Sequence, residues 1–299
     1  MGPAPVSPRR LHPRALLPAA AVLAAGILAG ALLAVAILVL APARGAAQGA
    51  GELRVCADPN NLPFSNERRE GFENRIAELL AEELGARLSY AWSPQWRGFV
   101  RKTLDAGRCD VLMGVPSGFD RALPTRAYYR STYVFVSRES DGPPIRSLDD
   151  SALRRLRVGV HLIGDDYTNT PPAHALAARG IVDNVVGFPI YGDYGAPNPP
   201  ARLVEAVAAG EIDVAIVWGP FAGYFAGRQP VPLRVTPVAP EVDPGGLTFA
   251  FEIALGVRKG DEALRADLDG ALERRGADIR RILDRYGVPR PVPPTRGAR

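Results

Sequence analysis

The chain has 299 residues and a formal net charge of +4, from 36 basic against 32 acidic side chains. That length allows one large domain or two ordinary ones. Three of the basic residues, Arg9, Arg10 and Arg14, precede a segment from Ala15 to Ala43 without a single charge. The rest of the chain is therefore close to neutral, which argues against a nucleic-acid partner. Residues 1–47 read as a signal peptide or an N-terminal anchor. The arginines form the positive region, and Ala41-Pro42-Ala43 or Gly45-Ala46-Ala47 offers a cleavage site. The apolar run is also long enough to span a bilayer. Either way the remainder is exported, and contact with a membrane is expected only through an uncleaved leader.

From Leu53 onward short apolar strands alternate with amphipathic helices, the pattern of an α/β protein with mostly parallel strands. Strand one ends at Asp58, and the Asn/Pro-rich loop to Asn66 leads into a helix from Gly71 to Gly85. Arg87 to Trp92 reads as a strand, Trp96 to Ala106 as a helix, and Cys109 to Val115 as a third strand. Tyr128 to Arg138 follows as a long extended segment. Ser147-Leu148-Asp149-Asp150 resembles a helix start, and a second series begins at Leu156 to Leu162. Ala173 to Arg179 is predicted helical, Val185 to Phe188 a strand, Ala201 to Ala209 a helix, Ile212 to Trp218 a strand, and Phe221 to Ala226 a helix or turn. Pro230 to Pro244 is proline-rich and reads as the return of the chain between lobes. Phe249 to Val257 is a last strand, before helices at Glu262 to Arg274 and Asp278 to Tyr286. Gly287 and Pro289 end the final helix, and 291–299 is expected to be a disordered tail.

Cys56 and Cys109 are the two cysteines. Their predicted strands would be neighbours in such a sheet, and an exported chain meets an oxidising compartment, so a disulfide is favoured over two separate buried thiols. His161 and His174 lie at no metal-ligand spacing, and no metal or cofactor is expected. No nucleophile elbow, phosphate loop or dinucleotide fingerprint occurs, so no catalytic residue is assigned.

The order of elements resembles the type II periplasmic solute-binding fold, two Rossmann-like lobes joined by a two-strand hinge. The strand-and-turn Phe251 to Asp261 and the helix-glycine-strand step Ala206 to Ala215 are similar to those of such proteins. The resemblance implies lobe 1 over 48–138, lobe 2 over 139–246, and a return to lobe 1 over 247–290. A narrower likeness rests on Cys56-Ala57-Asp58-Pro59-Asn60-Asn61-Leu62-Pro63-Phe64-Ser65-Asn66 with Gly71-Phe72-Glu73-Asn74, on Met113-Gly114-Val115-Pro116, and on Thr125 to Phe135. These segments resemble the quinoprotein-dehydrogenase-associated periplasmic binding proteins, among them the J proteins of bacterial methanol oxidation. The likeness implies a periplasmic, non-catalytic accessory or maturation factor. Its partner would be a PQQ-dependent methanol or alcohol dehydrogenase, with that enzyme's cytochrome c and a small ligand as further expectations. The alternative is the binding subunit of an importer for a small solute other than an amino acid.

Ligands of open α/β sheets gather at the carboxyl ends of strands, which makes Asp58, Asn60, Asn61 and Phe64 candidates. The asparagines equally suit turn chemistry, and Phe64 equally suits a plug beneath the loop. Trp96 is a further candidate, at the start of the next predicted helix. Arg121 occupies the place where amino-acid-binding relatives grip a ligand carboxylate, although a surface ion pair would also account for it. Asp165 and Tyr167 follow the first lobe-two strand, and Tyr191 and Tyr194 sit in a Gly/Pro-rich insertion suited to recognition. After Val214–Val217 the chain runs into Trp218-Gly219-Pro220, where amino-acid binders carry an acid. A buried ligand ammonium without such a partner is costly, so amino-acid transport is disfavoured.

Overall fold

The computed structural model describes residues 51–163, 169–190 and 194–291. Residues 1–50, on which the predicted signal peptide or anchor falls, together with Asp165, Tyr167, Tyr191 and the segment from 292, lie outside the described residues. In chain order the elements are β1 (Glu52–Ala57), the short β2 (Asn60–Asn61) and β3 (Ser65–Asn66), α1 (Phe72–Glu83), β4 (Arg87–Trp92), α2 (Phe99–Lys102), β5 (Val111–Pro116) and β6 (Leu123–Arg138). They continue with β7 (Val158–Leu162), α3 (Pro171–Ala178), β8 (Val185–Pro189), α4 (Arg202–Ala208), β9 (Val214–Trp218), α5 (Gly219–Ala226), β10 (Leu233–Pro237), β11 (Ala250–Val257), α6 (Glu262–Arg274) and α7 (Gly276–Arg285).

One sheet runs β4-β1-β5-β11-β6-β9-β7-β8, with β10 paired to β6. Lobe 1 lies at the β4 end and lobe 2 at the β8 end. The strand β6 belongs to both. Its residues from Leu123 to Thr132 pair with β11, and those from Tyr133 to Arg138 pair with β9 and β10. The sheet is less parallel than the α/β alternation suggests. β1 runs parallel to β4 and β5, and β7 to β8 and β9. The pairs that β6 and β11 make with their neighbours are all antiparallel. The reason is connectivity: these strands carry the chain between lobes and back instead of returning through a crossover helix.

Each lobe buries its own core. In lobe 1 the α1 stripe of Phe72, Ile76 and Leu80 meets Val55, Leu255, Leu268 and Leu283. In lobe 2 successive side chains of each strand face opposite sides. Val134, Val136, Ala215 and Val217 face Leu203 and Phe221, whereas Phe135, Val214 and Ile216 face Val158, Leu176 and Phe249. The hinge is fastened by Arg130, whose guanidinium forks onto Glu241 at 2.9 and 2.6 Å. The Tyr133 amide donates to the Phe249 carbonyl at 2.7 Å. A third contact joins the lobes at α5, where a Cβ on Gly223 would stand 1.8 Å from the Gly287 carbonyl oxygen. A side chain at either glycine would separate the C-terminal segment from lobe 2.

Two local readings differ from expectation, and a third gains detail. The helix predicted over Trp96 to Ala106 shrinks to α2, because Gly98 enters at φ 86° and Thr103 turns its hydroxyl onto the Phe99 carbonyl. The Ser147 start becomes a short 3-10 turn, Ser151–Arg154, capped by the Asp150 side chain. The proline-rich return contains β10, which prolines tolerate because it is an edge strand. No helix among the described residues is long and apolar enough to cross a membrane.

The favoured disulfide is present: Cys56 in β1 is bonded to Cys109, just before β5, with Cα atoms 5.3 Å apart. It ties two neighbouring parallel strands at a sequence separation of 53. For a loop of that length the chain-entropy treatment assigns about 4 kcal/mol of stabilisation. Replacing both cysteines by serine is therefore expected to lower the unfolding free energy by about that amount, read from the shift of a urea midpoint. A change below ~1 kcal/mol would contradict this role.

Candidate functional site

The loop from Asp58 to Asn66 is held in place at both ends. The Asp58 carboxylate is buried and accepts from the Asn60 amide at 2.8 Å and the Gln95 amide at 2.7 Å. Asn60 and Asn61 pair with Asn66 and Ser65 in a miniature hairpin. At the far end the Pro63 and Phe64 carbonyls accept from the Phe72 and Glu73 amides at 2.8 and 3.0 Å. Those bonds satisfy donors that the first turn of α1 leaves open. Gly71 permits this approach, since a Cβ there would lie 1.9 Å from the Phe64 oxygen.

From that base the loop reaches across the cleft. Leu62 is buried in the lobe-two core, and the Phe64 ring sits between Phe72 of lobe 1 at 5.2 Å and Phe221 of lobe 2 at 5.0 Å. Phe64 is thus a plug that belongs to both cores. The insertion returns the contact from the other side. The Tyr194 hydroxyl donates to Asp58, the Asn60 side-chain amide donates to the Ala196 carbonyl at 2.8 Å, and the Asn198 amide donates to the Asn60 side-chain oxygen at 3.1 Å. Trp96, 53% exposed, stands edge-on to Tyr194 at 5.4 Å. The lobes are closed on each other by their own side chains.

A half-open cavity of about 170 Å³ lies beside this closure, lined by Asn61, Phe64, Glu73, Tyr129, Trp218 and Phe221 among others. Trp218 forms one wall, braced edge-on by Tyr133 at 5.3 Å and Phe251 at 5.9 Å. Of the candidates read from the sequence, Asn61, Phe64 and Trp218 meet at this cavity. Asp58, Asn60, Trp96 and Tyr194 gather at the closure beside it. Arg121 joins neither group. It lies at the surface, donating to Asp105 at 2.8 Å, with the side chains 54% and 40% exposed. The loop from Pro116 turns it away from the cleft toward the short helix that precedes Asp105. Asp165, Tyr167 and Tyr191 lie outside the described residues.

Glu73 is the residue that sequence reasoning passed over. An acid was expected just after the lobe-two strand Val214–Val217, whereas this carboxyl arrives from α1. Phe72, Glu73, Ile76, Ala77, Leu80 and Ala81 form one buried stripe, so helical spacing already placed Glu73 on the apolar face. Burial pushes its carboxyl up to about 8, because the charged form is disfavoured away from water. An irregularity in the β6–β11 pairing lies at Tyr128 and Tyr129, whose rings are 4.9 Å apart. Burial raises both phenols well above their usual value, with the charge of Glu73 as a smaller contribution. The Tyr128 hydroxyl lies beside the Gly114 backbone without a well-formed hydrogen bond. His161 is a packed side chain, edge-on to Phe221 at 5.3 Å, and burial lowers its imidazole to about 4.

Two α/β lobes joined by β6 and its neighbours, with a loop-lined cleft between them, make a binding protein of the periplasmic type. Residues 53–289 match the bacterial extracellular solute-binding proteins, family 3, and the chain belongs to that family. It is 34% identical over 259 residues to Protein MoxJ of Methylorubrum extorquens, covering 83% of this chain and 84% of that relative. To Protein MoxJ of Paracoccus denitrificans it is 30% identical over 260 residues, covering 84% and 93%. Among solved structures it is similar to MxaJ from Methlophaga aminisulfidivorans MPT, with TM-score 0.71, 28% identity, and coverage of 80% and 100%. The periplasmic binding protein XoxJ from Methylobacterium extorquens AM1 gives TM-score 0.66 and 33% identity, covering 81% of this chain and all of that one. The likeness to the J proteins of methanol oxidation, read from the segments around Cys56, Met113 and Thr125, is borne out.

Two outcomes are expected from this geometry. Below pH 4.5 Glu73 is protonated in folded and unfolded chains alike. As pH rises the unfolded chain releases the proton first, so stability falls until the folded carboxyl titrates at about 8. Glu73→Gln removes that loss. Its advantage over the parent should grow from near zero at acid pH to as much as about 5 kcal/mol near pH 8, measured by urea unfolding at both pH values. Tyr194→Phe leaves the buried Asp58 short of one donor and should cost about 1–3 kcal/mol. It should also increase the radius of gyration in small-angle scattering, and an unchanged radius would show that this bond does not hold the lobes together.

Proposed function

We propose that this protein is a periplasmic, non-catalytic accessory or maturation factor of a PQQ-dependent methanol or alcohol dehydrogenase. The observation that carries the reading is the closure of the cleft by the protein itself. A transport receptor keeps its cleft open for a solute and closes around it. Here Leu62 and Phe64 already occupy the interlobe space, and the insertion around Tyr194 is bonded across it. The cavity at Trp218, about 170 Å³, and the one adjoining it at Glu73 and Asp58, about 140 Å³, are each smaller than the roughly 300–1,000 Å³ of ordinary small-molecule sites.

The surface beside the closure suits recognition of a protein. Trp96 is exposed, Tyr194 stands against it, and an open depression of about 410 Å³ follows along Pro59, Asn60, Arg68 and Asn198. Exposed aromatic side chains on a firmly held loop supply contact area at low entropic cost. The partner in this reading is the dehydrogenase, with its cytochrome c as a second candidate. The sequence candidates Asp165, Tyr167 and Tyr191 belong to the same reading. A second reading, the receptor of an importer for a small solute other than an amino acid, is favoured by the cavity that survives and by the absence of Arg121 from it.

Co-purification decides between them. The tagged protein should retain the dehydrogenase from periplasmic extract, and Trp96→Ala should weaken that retention at least about tenfold, the effect of losing one interface anchor. Failure to retain either apo or holo enzyme, together with a thermal shift from a metabolite panel, would favour the importer.

A further inference from the structure

The surviving cavity has a composition that selects its occupant. Phe64, Tyr129, Trp218 and Phe221 supply aromatic walls, and the polar groups among them include the Gln95 amide and the Glu73 carboxyl. Room for that carboxyl is built into the backbone. Gly114 adopts φ +67°, and a Cβ on it would lie 2.2 Å from Glu73 Oε1. The groups facing Glu73 are the phenols of Tyr128 and Tyr129 from β6 and the backbone of Gly114 from β5. Among the described residues no arginine or lysine lines the cavity, and burial is what raises the carboxyl. A buried acid held by no cation costs stability, and a cationic occupant would remove that cost. Aromatic faces attract the same kind of ligand.

We propose that the closed cleft takes a small organic cation without a carboxylate, an alkylammonium of a few carbons, with Glu73 as its counter-ion and the rings of Trp218 and Phe221 against its apolar part. An amino acid is excluded by the same geometry. Its carboxylate would find no cation, because Arg121 is engaged with Asp105 at the surface. The size of the cavity, about 170 Å³, excludes large ligands. This site goes beyond the accessory role and does not depend on it.

Near neutral pH the ligand ammonium displaces the proton held by Glu73, so binding releases a proton to solvent. Calorimetry of the purified protein with propylammonium tests this, using two buffers of different ionisation enthalpy. One-to-one binding is expected with close to one proton released at neutral pH, and with affinity rising about tenfold per pH unit until Glu73 titrates near 8. Glu73→Gln should lose at least about tenfold in affinity and the pH dependence, while folding at least as stably as the parent. n-Propanol, the neutral analogue, should not compete. The proposal is overturned if propanol binds as tightly, if Glu73→Gln binds propylammonium like the parent, or if the parent gives no binding heat with propylammonium or ethylammonium at millimolar concentration.

Discussion

The insertion of Leu62 and Phe64, carried on a loop of lobe 1, into the apolar interior of lobe 2 is the contact on which this structure turns. Burying Leu62 contributes roughly 1.5–3 kcal/mol, which is lost if the lobes part, and the half-buried Phe64 ring loses its Phe221 face while keeping Phe72. Everything that positions the loop serves that contact. The Asp58 carboxylate gathers the Asn60 and Gln95 amides, and the first turn of α1 donates into the Pro63 and Phe64 carbonyls. The disulfide holds β1, from whose end the loop springs, against the strand region of β5.

Closure of this kind separates two properties that a solute receptor combines. In a receptor, ligand contacts supply the free energy that favours the closed form. Here protein side chains supply it, which leaves the outer rim at Trp96 and Tyr194 as a fixed surface. The inner cavity becomes a second and smaller environment, dominated by one buried carboxyl. The chain carries opposing pH sensitivities as a result. His161, lowered to about 4, must be neutral and disfavours acid, whereas Glu73, raised to about 8, must be protonated and disfavours alkali.

Much of the site was legible one residue at a time. Asp58 and Asn60 were read as a strand-end loop, Tyr194 as part of a recognition insertion, and Trp218 as the replacement for an acid. Their mutual contacts were not legible, because Asp58 and Tyr194 are 136 residues apart and meet only when both lobes are in place. Arg121 shows the limit of positional analogy. Its place after β5 matches that of a ligand-gripping arginine, but the local turn aims it at Asp105. Glu73 shows the opposite error, since a charged residue on an apolar helical stripe was visible and went unread.

By itself the sequence determined the alternation of strands and helices and the family likeness around Cys56, Met113 and Thr125, and it favoured a bond between the two cysteines over separate thiols. These are local or compositional properties, set by periodicity, turn residues and the neighbour relation of adjacent strands. Only the tertiary structure decided that the loop after β1 plugs the cleft, that the insertion bonds across it, and that Glu73 is buried beside them with no cation lining its cavity among the described residues. Those outcomes depend on the relative placement of two lobes, which is governed by shape and burial over long sequence separations and leaves no periodic trace in the chain.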